Sequence, residues 1–426
     1  MRLRRSTLWI IAMACAAILL SGCAPTQPNP TSGGGQPTQA SAGPKTTHPA
    51  PTLASETQTL PGQVTPAGAY PQATNTTFPT QTTSATNEKL LAYVGSDGNL
   101  WLSTPNGSQK KPITQGATEY RPGSAEEGVV FSDPIFSSDG KYLVYTRRID
   151  RTAEAGIASQ YSVIRYEVSS GHAQMVFENQ QVSGYSWRPD SYLLAYSLPT
   201  DAQYFTGPGE AESKLAIWEI DTQTGSTQEI VAPMRGFHLY RPQWSPLGDR
   251  LTFQEIRQLE GQGNFAFFDF KTGKYIAWDR PIGAYSWSLD EKQIIYDTIS
   301  YAPVPGNQIW SDDGLGLNEV ALTEKDESAV VMYPIFAPKG DQFVYLKQKI
   351  DPPDAEYEIY IRSAKPGSQA SLLGSFPQAG DLRWSPDGKY LSLAYGAYPQ
   401  QKIAILPITG EKAQLLDAGS QPVWQP

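Results

Sequence analysis

The chain has 426 residues, of which 39% are hydrophobic, and a formal net charge of −9. Its length is sufficient to bury a sizeable core, and its acidic balance argues against nucleic-acid binding, which needs a basic face. Only two cysteines occur, Cys15 and Cys23, and the predictions below leave neither free for a disulfide.

The N-terminus has the layout of a secretory signal. A basic stretch, Met1 to Arg5, precedes an uncharged apolar run from Leu8 to Leu20. At about 13 residues this run is shorter than the roughly 20 that span a bilayer. The following Leu20-Ser-Gly-Cys23 resembles the bacterial lipobox, which implies cleavage after residue 22 and lipid attachment at Cys23. We therefore expect a lipoprotein on the extracytoplasmic face of a bacterial membrane; an ordinary signal peptide containing a cysteine is the alternative.

Residues 23–87 are predicted to be a disordered tether. They are dominated by Thr, Pro, Gln, Ala, Ser and Gly, and Lys45 and Glu56 are nearly the only charges. Such a composition cannot bury enough apolar surface to offset the entropy of ordering. Its prolines favour an extended spacer, although the segment could equally have no specific role.

From residue 88 onward, one phrase recurs at intervals of about 50 residues, the period of a propeller blade. It consists of an aromatic residue, a tight turn often reading Pro-Asp-Gly, and an apolar run that usually ends in an aromatic residue. The copies are Phe136–Tyr145, Trp187–Tyr196, Trp244–Phe253, Trp287–Tyr296, Phe336–Tyr345 and Trp384–Leu393. A second hairpin follows each copy, which gives four antiparallel strands per period and predicts an all-β propeller over residues 88–426.

The two ends of this region are complementary halves of the phrase. Gln421–Pro426 matches only the first half of the phrase, and Lys89–Tyr93 matches only its second half. Joined, they would form a seventh blade that closes the ring and protects its edges. The alternative is a six-bladed ring in which the last residues are a loose tail.

The phrase resembles the repeat of the TolB-type, WD-repeat-like propeller family, and Trp384-Ser-Pro-Asp-Gly-Lys389 is the clearest copy. The resemblance covers residues 88–426 and implies the propeller fold. It says less about function, because family members include envelope binding components and propellers attached to prolyl oligopeptidases. The lipid anchor, the tether and a count of seven phrases rather than six distinguish this chain from TolB itself.

Sequence motifs for catalysis are missing. The chain has no Gly-x-Ser-x-Gly pentapeptide, only three histidines and no paired-histidine or Cys-x-x-Cys metal spacing. The recurrent aspartates Asp139, Asp190, Asp290 and Asp387 occupy the same turn in successive blades, which indicates turn formation rather than carboxylate pairs. We therefore predict a non-enzymatic protein without metal or cofactor; a glycan-active hydrolase or lyase with carboxylates at the central opening is the alternative.

Loop lengths predict a binding face for a protein, peptide or glycan of the cell envelope. Residues 147–160, 197–213, 254–263 and 297–306 read as long loops on one face, where binding residues concentrate. This face is rich in Tyr and Arg, which are favoured at binding hot spots. A repeated tripeptide, Tyr120-Arg121-Pro122 and Tyr240-Arg241-Pro242, adds residues from the predicted blade-to-blade loops of the same face. The candidate residues are Tyr120, Arg121, Arg147, Arg148, Tyr204, Phe205, Tyr240, Arg241 and Tyr301. These side chains could instead brace the loops.

Overall fold

A computed structural model describes residues 89–121, 126–153, 156–179, 184–207, 210–233, 236–257, 263–298, 308–352 and 356–426. At 201–207, 210–213 and 279–281 it describes the backbone alone. Within these ranges every long regular element is a β-strand, and no helix long and apolar enough to cross a membrane occurs among them. The predicted signal peptide, Cys23 and the tether lie outside the described residues.

The strands form seven blades of four strands each. The first strands of blades 1–6 are β4 (Gly128–Phe136), β8 (Tyr185–Trp187), β12 (His238–Trp244), β16 (Tyr285–Trp287), β20 (Ala329–Phe336) and β24 (Gly380–Trp384). The second strands are β5 (Tyr142–Ala153), β9 (Leu193–Gly207), β13 (Arg250–Ile256), β17 (Ile294–Asp297), β21 (Gln342–Lys349) and β25 (Tyr390–Tyr395). The third strands are β6 (Gly156–Glu167), β10 (Glu210–Asp221), β14 (Asn264–Asp269), β18 (Ile309–Asp312), β22 (Tyr357–Ser363) and β26 (Lys402–Pro407). The fourth strands are β7 (Ala173–Asn179), β11 (Thr227–Val231), β15 (Lys274–Pro281), β19 (Val320–Ala321), β23 (Ser371–Phe376) and β27 (Gln414–Trp424).

Blade 7 is built from both ends of the propeller, as predicted. Its own strands are β1 (Leu91–Gly95), β2 (Leu100–Ser103) and β3 (Lys110–Pro112), and the second half of β27 supplies its first strand. β1 pairs antiparallel with β27, and Leu91 lies opposite Trp424. First strands contact each other at several blade boundaries, and contact between β27 and β4 joins the last blade to the first, so the ring is closed. The seven-bladed prediction is confirmed over the six-bladed alternative.

The core lies between blades, which explains why the second strands are apolar on both faces. Leu143 packs in a cluster shared by blades 7 and 1, whereas its neighbour Val144 packs in the cluster shared by blades 1 and 2. The aromatic residue of the phrase also joins blades: the Trp384 indole donates to the backbone oxygen of Ile335 in the preceding blade at 3.1 Å. Each repeat is therefore stable only against its neighbours.

The turn aspartates shape turns, as predicted. Ser137 Oγ and Lys141 N both donate to Asp139 Oδ1, at 2.8 and 3.1 Å. The same pair of bonds, from Ser288 and from the backbone of Lys292, lowers the pKa of Asp290. These carboxylates fold the local backbone and do not pair with each other.

Two of the predicted long loops are strands. Residues 147–153 and 156–160 belong to β5 and β6, and residues 197–207 and 210–213 to β9 and β10. In the first of these segments, half-buried and exposed residues flank the buried Ile149 and Asp150, and Ile149 lies opposite Val129 of β4. Pairing satisfies the backbone polar groups, which a loop of this length would have to expose to water. The segments are therefore long β-hairpins, which we call the blade 1 and blade 2 hairpins.

Candidate binding face and central channel

The propeller has two distinct faces. The turns between first and second strands lie on one, the turn face; the connections between second and third strands lie on the other, the hairpin face. The chain enters on the turn face at Lys89, whose Nζ donates to the backbone oxygen of Pro426 at 2.6 Å. Gln425 N also donates to Leu90 O at 2.8 Å. The hairpin face is thus opposite the point where residue 88 joins the propeller.

The arginines of the blade 1 hairpin are held by acidic partners. Arg148 contacts Asp150 Oδ2 through Nε and Nη2, both at 3.1 Å, and buried Asp150 also accepts from Ser159 Oγ at 2.6 Å. Arg151 Nε lies 2.6 Å from Glu127 Oε1. Half-buried Arg147 has its pKa lowered by burial. Arg148 and Arg151 therefore brace the hairpin, whatever else they contact.

The two Tyr-Arg-Pro tripeptides occupy different places. Tyr120 packs against Gly128 and its hydroxyl lies 3.0 Å from Thr152 Oγ1, while Arg121 is exposed. Tyr240 and Arg241, expected in a blade-to-blade loop, lie instead within β12, the first strand of blade 3. The Arg241 guanidinium lies 5.3 Å from the centre of the Tyr240 ring.

Three predicted site residues are only partly described or not described. The backbones of Tyr204 and Phe205 lie in β9 opposite Glu212 and Ala211 of β10, but their side chains are outside the description. Tyr301 lies outside the described residues altogether. These residues stay predictions.

A feature that sequence reasoning missed lies on the inner wall of the ring. In each blade, the residue three positions before the phrase aromatic lies on the first strand or directly before it; we call these seven residues the channel ring. They are Asp133, Gly184, Arg241, Ala284, Tyr333, Asp381 and Gln421. Five are non-glycine residues with φ between 51° and 55°, and four of those five are followed by a buried proline, at positions 134, 242, 334 and 422. A β-bulge interrupts the ladder at this position in blades 1, 3, 5, 6 and 7. Of the seven residues, all but Ala284 and Gln421 are exposed.

Hydrogen bonds connect the channel ring from blade to blade. Gln421 N donates to Asp381 Oδ2 at 3.1 Å, and Asp133 N donates to Gln421 Oε1 at 2.7 Å. Each side-chain oxygen therefore satisfies the backbone N–H that the bulge frees in the next blade. This series of hydrogen bonds continues into blade 2, where the Tyr185 hydroxyl donates to Asp133 O at 2.6 Å.

Blade 4 achieves the same link with a different residue. Ala284 has no side-chain acceptor, and Asp297 on β17 accepts from Ala284 N at 3.1 Å and from Tyr333 N at 2.8 Å. Asp297 is 3% exposed, and burial raises its pKa to about 7 against the two donated bonds. Gly283 leaves the space that this carboxylate fills, since a Cβ there would collide with Asp297 Oδ1.

The ring gives the channel a polarised wall. Asp381 and Asp133 flank Gln421 on blades 6, 7 and 1, whereas Arg241 stands on blade 3, and Tyr333 of blade 5 is 42% exposed. A ligand entering the channel would meet acceptors on one side and a cation on the other. One sequence signal marks these positions. At four of them the channel-ring residue is followed by a proline, which lies two residues before the aromatic residue of the phrase.

The architecture is that of a β-propeller, and comparison with solved structures agrees. The chain is similar to a prolyl endopeptidase (15% identity, 80% of this chain and 50% of that chain, TM-score 0.53). It is also similar to oligogalacturonate lyase from Vibrio parahaemolyticus (13% identity, 78% of this chain and 85% of that chain, TM-score 0.53). TolB from Acinetobacter baumannii matches at 12% identity over 80% of this chain and 66% of that chain, with a TM-score of 0.45.

These likenesses show the fold alone. The chain spans 66% of the matched TolB and half of the matched prolyl endopeptidase, and the neighbours include both enzymes and TolB. No family model matches the chain, and no curated protein matches it either. Another similar structure is an oligogalacturonate lyase in complex with manganese; among the described ranges of this chain, no group of three or more His, Cys, Asp or Glu side chains could hold a metal ion.

Proposed function

We propose that this chain is an extracytoplasmic lipoprotein whose propeller binds a protein, peptide or glycan of the cell envelope without transforming it. The proposal rests on one observation: the long hairpins and the point where the chain enters the propeller lie on opposite faces. The blade 1 and blade 2 hairpins project on the face opposite Lys89. A chain tethered through residue 88 therefore presents its most elaborated face away from its anchor, where a partner would meet it.

The chemistry of that face and of the channel supports a polar partner. Arg121 is exposed on the hairpin face, and Arg241 and Tyr333 are exposed in the channel. Arg and Tyr combine a large contact area with hydrogen-bond donors, so they often dominate binding energy. The bulges fix the Arg241 backbone before any ligand arrives, which reduces the entropy lost on binding.

Removing the two exposed arginines tests the proposal. Arg121→Ala combined with Arg241→Ala should weaken partner capture from cross-linked membranes while the unfolding temperature stays nearly unchanged. A lost charged contact at an interface costs about 2 to 5 kcal/mol. The matched control is Lys141→Ala with Lys389→Ala, which removes two exposed cations from the turn face. Equal capture by both double variants would eliminate the hairpin face and channel as the binding site.

Anchoring is tested separately at Cys23. Cys23→Ser should leave the protein unprocessed or release it from membranes, because the net charge of −9 disfavours a second, electrostatic attachment to anionic lipid. Membrane fractionation followed by detection of the protein measures this. Full membrane retention of a processed Cys23→Ser protein would contradict lipid attachment at this residue.

A second candidate is a glycan-active enzyme, which the two channel carboxylates favour. Asp133 and Asp381 lie on the same ring with Arg241 and Tyr333, so acid and cationic groups share one channel. In that case the chain should shorten acidic oligosaccharides, and Asp133→Asn with Asp381→Asn should abolish the shortening. If the unmodified protein leaves a panel of oligogalacturonates and other uronate glycans intact, this candidate fails and the binding proposal is unaffected.

A further inference from the structure

In three of the five bulged blades, the backbone N–H of the channel-ring residue is bound by a side chain of the preceding blade. Asp133 N donates to Gln421 Oε1 at 2.7 Å, and Gln421 N donates to Asp381 Oδ2 at 3.1 Å. Tyr333 N donates to Asp297 Oδ2 at 2.8 Å. The group that this position binds is therefore a carboxylate or amide oxygen, which satisfies a backbone donor freed from the ladder.

Blade 3 departs from this pattern. Its bulge residue is Arg241, with φ at 53°, and the channel-ring residue of the preceding blade is Gly184, which has no side chain. By strand register, Ser197 of β9 corresponds to Asp297 of β17. The Ser197 hydroxyl is buried and has no hydrogen-bond partner among the described residues. Within the described ranges, no side chain accepts from Arg241 N either.

The space beside Gly184 opens onto Arg241. Both residues are exposed, and a Cβ at 184 would lie 3.4 Å from Arg241 Cα and 3.7 Å from its Cγ, which is ordinary contact. Asp381, the channel-ring residue of blade 6, reaches the N–H of the next blade from the equivalent position. An acceptor placed beside Gly184 would therefore meet the Arg241 backbone in the same way.

Charge makes this boundary suit an anion. Asp381 N also has no side-chain acceptor within the described ranges, but the carboxylate of Asp381 itself repels an anion there. Arg241 instead combines its N–H with an exposed guanidinium that forms no ion pair in the described part of the chain. Hydrogen bonds from arginine to a carboxylate are often bidentate and are stronger than neutral ones. Backbone N–H groups also recognise the C-terminal carboxylate of peptides.

The other side of the channel distinguishes between carboxylate ligands. Asp133 and Asp381 are exposed there, on blades 1 and 6, and the whole chain carries a net charge of −9. A uronate glycan brings several negative charges and no cation, so these groups would repel it. A peptide ends in one carboxylate and offers N–H donors and basic side chains to the two aspartates. The channel therefore favours a peptide.

We propose that the boundary between blades 2 and 3 binds the C-terminal carboxylate of a peptide, which accepts hydrogen bonds from Arg241 N and from the Arg241 guanidinium in the space beside Gly184. The ligand then supplies the acceptor that Asp297, Asp381 and Gln421 supply at other boundaries. The inference rests on the binding function proposed above and names the chemistry of the partner, a polypeptide that presents its C-terminus to the channel.

Retention of peptides on the immobilised full chain tests the assignment. A randomised hexapeptide pool with free C-termini is mixed with the same pool as C-terminal amides, each with its own isotope label, and the bound peptides are quantified by mass spectrometry. The free acids should be enriched at least about tenfold over the amides, which corresponds to one strong charged contact. Equal enrichment of the two pools, or retention of neither, would overturn the proposal.

Two variants locate the carboxylate. Arg241→Gln removes the cation, and Gly184→Asp adds an internal acceptor of the kind that Asp381 provides in blade 6. Each should abolish the preference for free acids. The matched control Gly380→Asp adds a carboxylate on blade 6, where a Cβ meets no atom within 4 Å, and should keep the preference. A preference that survives Arg241→Gln would overturn the proposal, and thermal melts of every variant exclude unfolding as the cause of a loss.

Failure of this inference and failure of the proposed function give different results. A full chain that captures an envelope partner from cross-linked membranes, but retains acids and amides equally, keeps the binding function and refutes the carboxylate site. Stronger retention of oligogalacturonates than of free-acid peptides would refute the peptide assignment. A preference for free acids without capture of any envelope partner would support the site and contradict the proposed function.

Discussion

Blades 4 and 7 both end in very short outer strands, yet they are stabilised in different ways. β3 of blade 7 has three residues and β19 of blade 4 has two. Blade 7 receives its first strand from β27, which runs without a loop from the outer edge of blade 6 to the channel. Backbone pairing to a shared strand therefore joins blade 7 to the ring.

Blade 4 depends on particular side chains instead. Asp297 joins it to blade 5, and Asp312 accepts three backbone N–H groups from Gly314, Gly316 and Asn318 in the turn that follows β18. The Trp278 indole of blade 3 donates to Gly314 O at 3.3 Å. The comparison shows that a ring closed by backbone pairing at one blade can contain another blade that is held by polar side chains.

The largest expected effect is loss of the closing strand. Deleting Gly419–Pro426 should abolish cooperative unfolding, because it removes the first strand of blade 7 and exposes the apolar sides of two blades. Circular dichroism melts and size-exclusion chromatography measure this. A truncated protein that melts within a degree or two of the intact one would contradict the role of β27 in closure.

Trp424→Ala should have the next largest effect. The side chain is 8% exposed and packs with Leu91, Tyr93 and Ile403 between blades 6 and 7. Truncating a buried Trp costs about 3 to 5 kcal/mol, a large share of a typical stability of about 5 to 15 kcal/mol. Urea unfolding measures the loss; a cost below about 1 kcal/mol would show that closure does not need this side chain.

The blade 4 link should make stability pH-dependent. The pKa of Asp297 is about 7 in the folded protein and near 3.9 in an unfolded chain, so the folded state keeps a proton that the unfolded state releases. Its contribution is complete below about pH 4 and is lost as pH rises to 7, by up to about 4 kcal/mol.

Urea unfolding of Asp297→Asn and the unmodified protein from pH 5 to 8 isolates this effect, because all other groups titrate in both. The variant cannot ionise at position 297, so the free-energy gap between the two proteins should shift in favour of the variant as pH rises. A gap that stays constant with pH would remove Asp297 from the pH response.

Gly419→Ala should lower the free energy of unfolding, whereas Gly380→Ala should not. A Cβ at 419 would lie 2.5 Å from Val94 O and 3.1 Å from the Tyr93 ring, whereas one at 380 has no atom within 4 Å. Neither glycine has a positive φ, so the pair isolates the close approach of β27 to β1. We expect about 1 to 3 kcal/mol of destabilisation at 419, measured by urea unfolding, and similar stabilities for the two variants would show that the ladder can move apart.

The smallest effect is expected for the ion pair between Lys110 of β3 and Asp417 of β27. Both side chains are substantially exposed, so Lys110→Ala should cost less than about 1 kcal/mol. The same melt assay measures it at low and high salt. A larger loss would mean that side chains, and not only backbone pairing, fasten blade 7.

The phrase predicted the blades because its residues stabilise structure close to them. Asp139 accepts hydrogen bonds within a turn, and Trp384 bonds a strand to the previous blade. The split phrase at Lys89 and Gln421 predicted the closure for the same reason. The hairpins were misread as loops because their polar residues, such as Arg147 and Arg148, lie in strands that extend beyond the interblade core. The prolines mark four channel-ring positions, but the hydrogen bonds between them could not be derived, since links such as Gln421 to Asp133 depend on the register between blades distant in sequence.

The pairing of β1 with β27 also has a mechanical consequence. β1 begins at the turn face, directly after Lys89, and runs toward the hairpin face between β27 and β2. A pull on residue 88 away from the turn face therefore acts along the axis of β1. Its hydrogen bonds to both neighbours are loaded together in shear instead of opening one at a time. If the chain is anchored and binds a partner as proposed, this arrangement would let the propeller bear tension between the two.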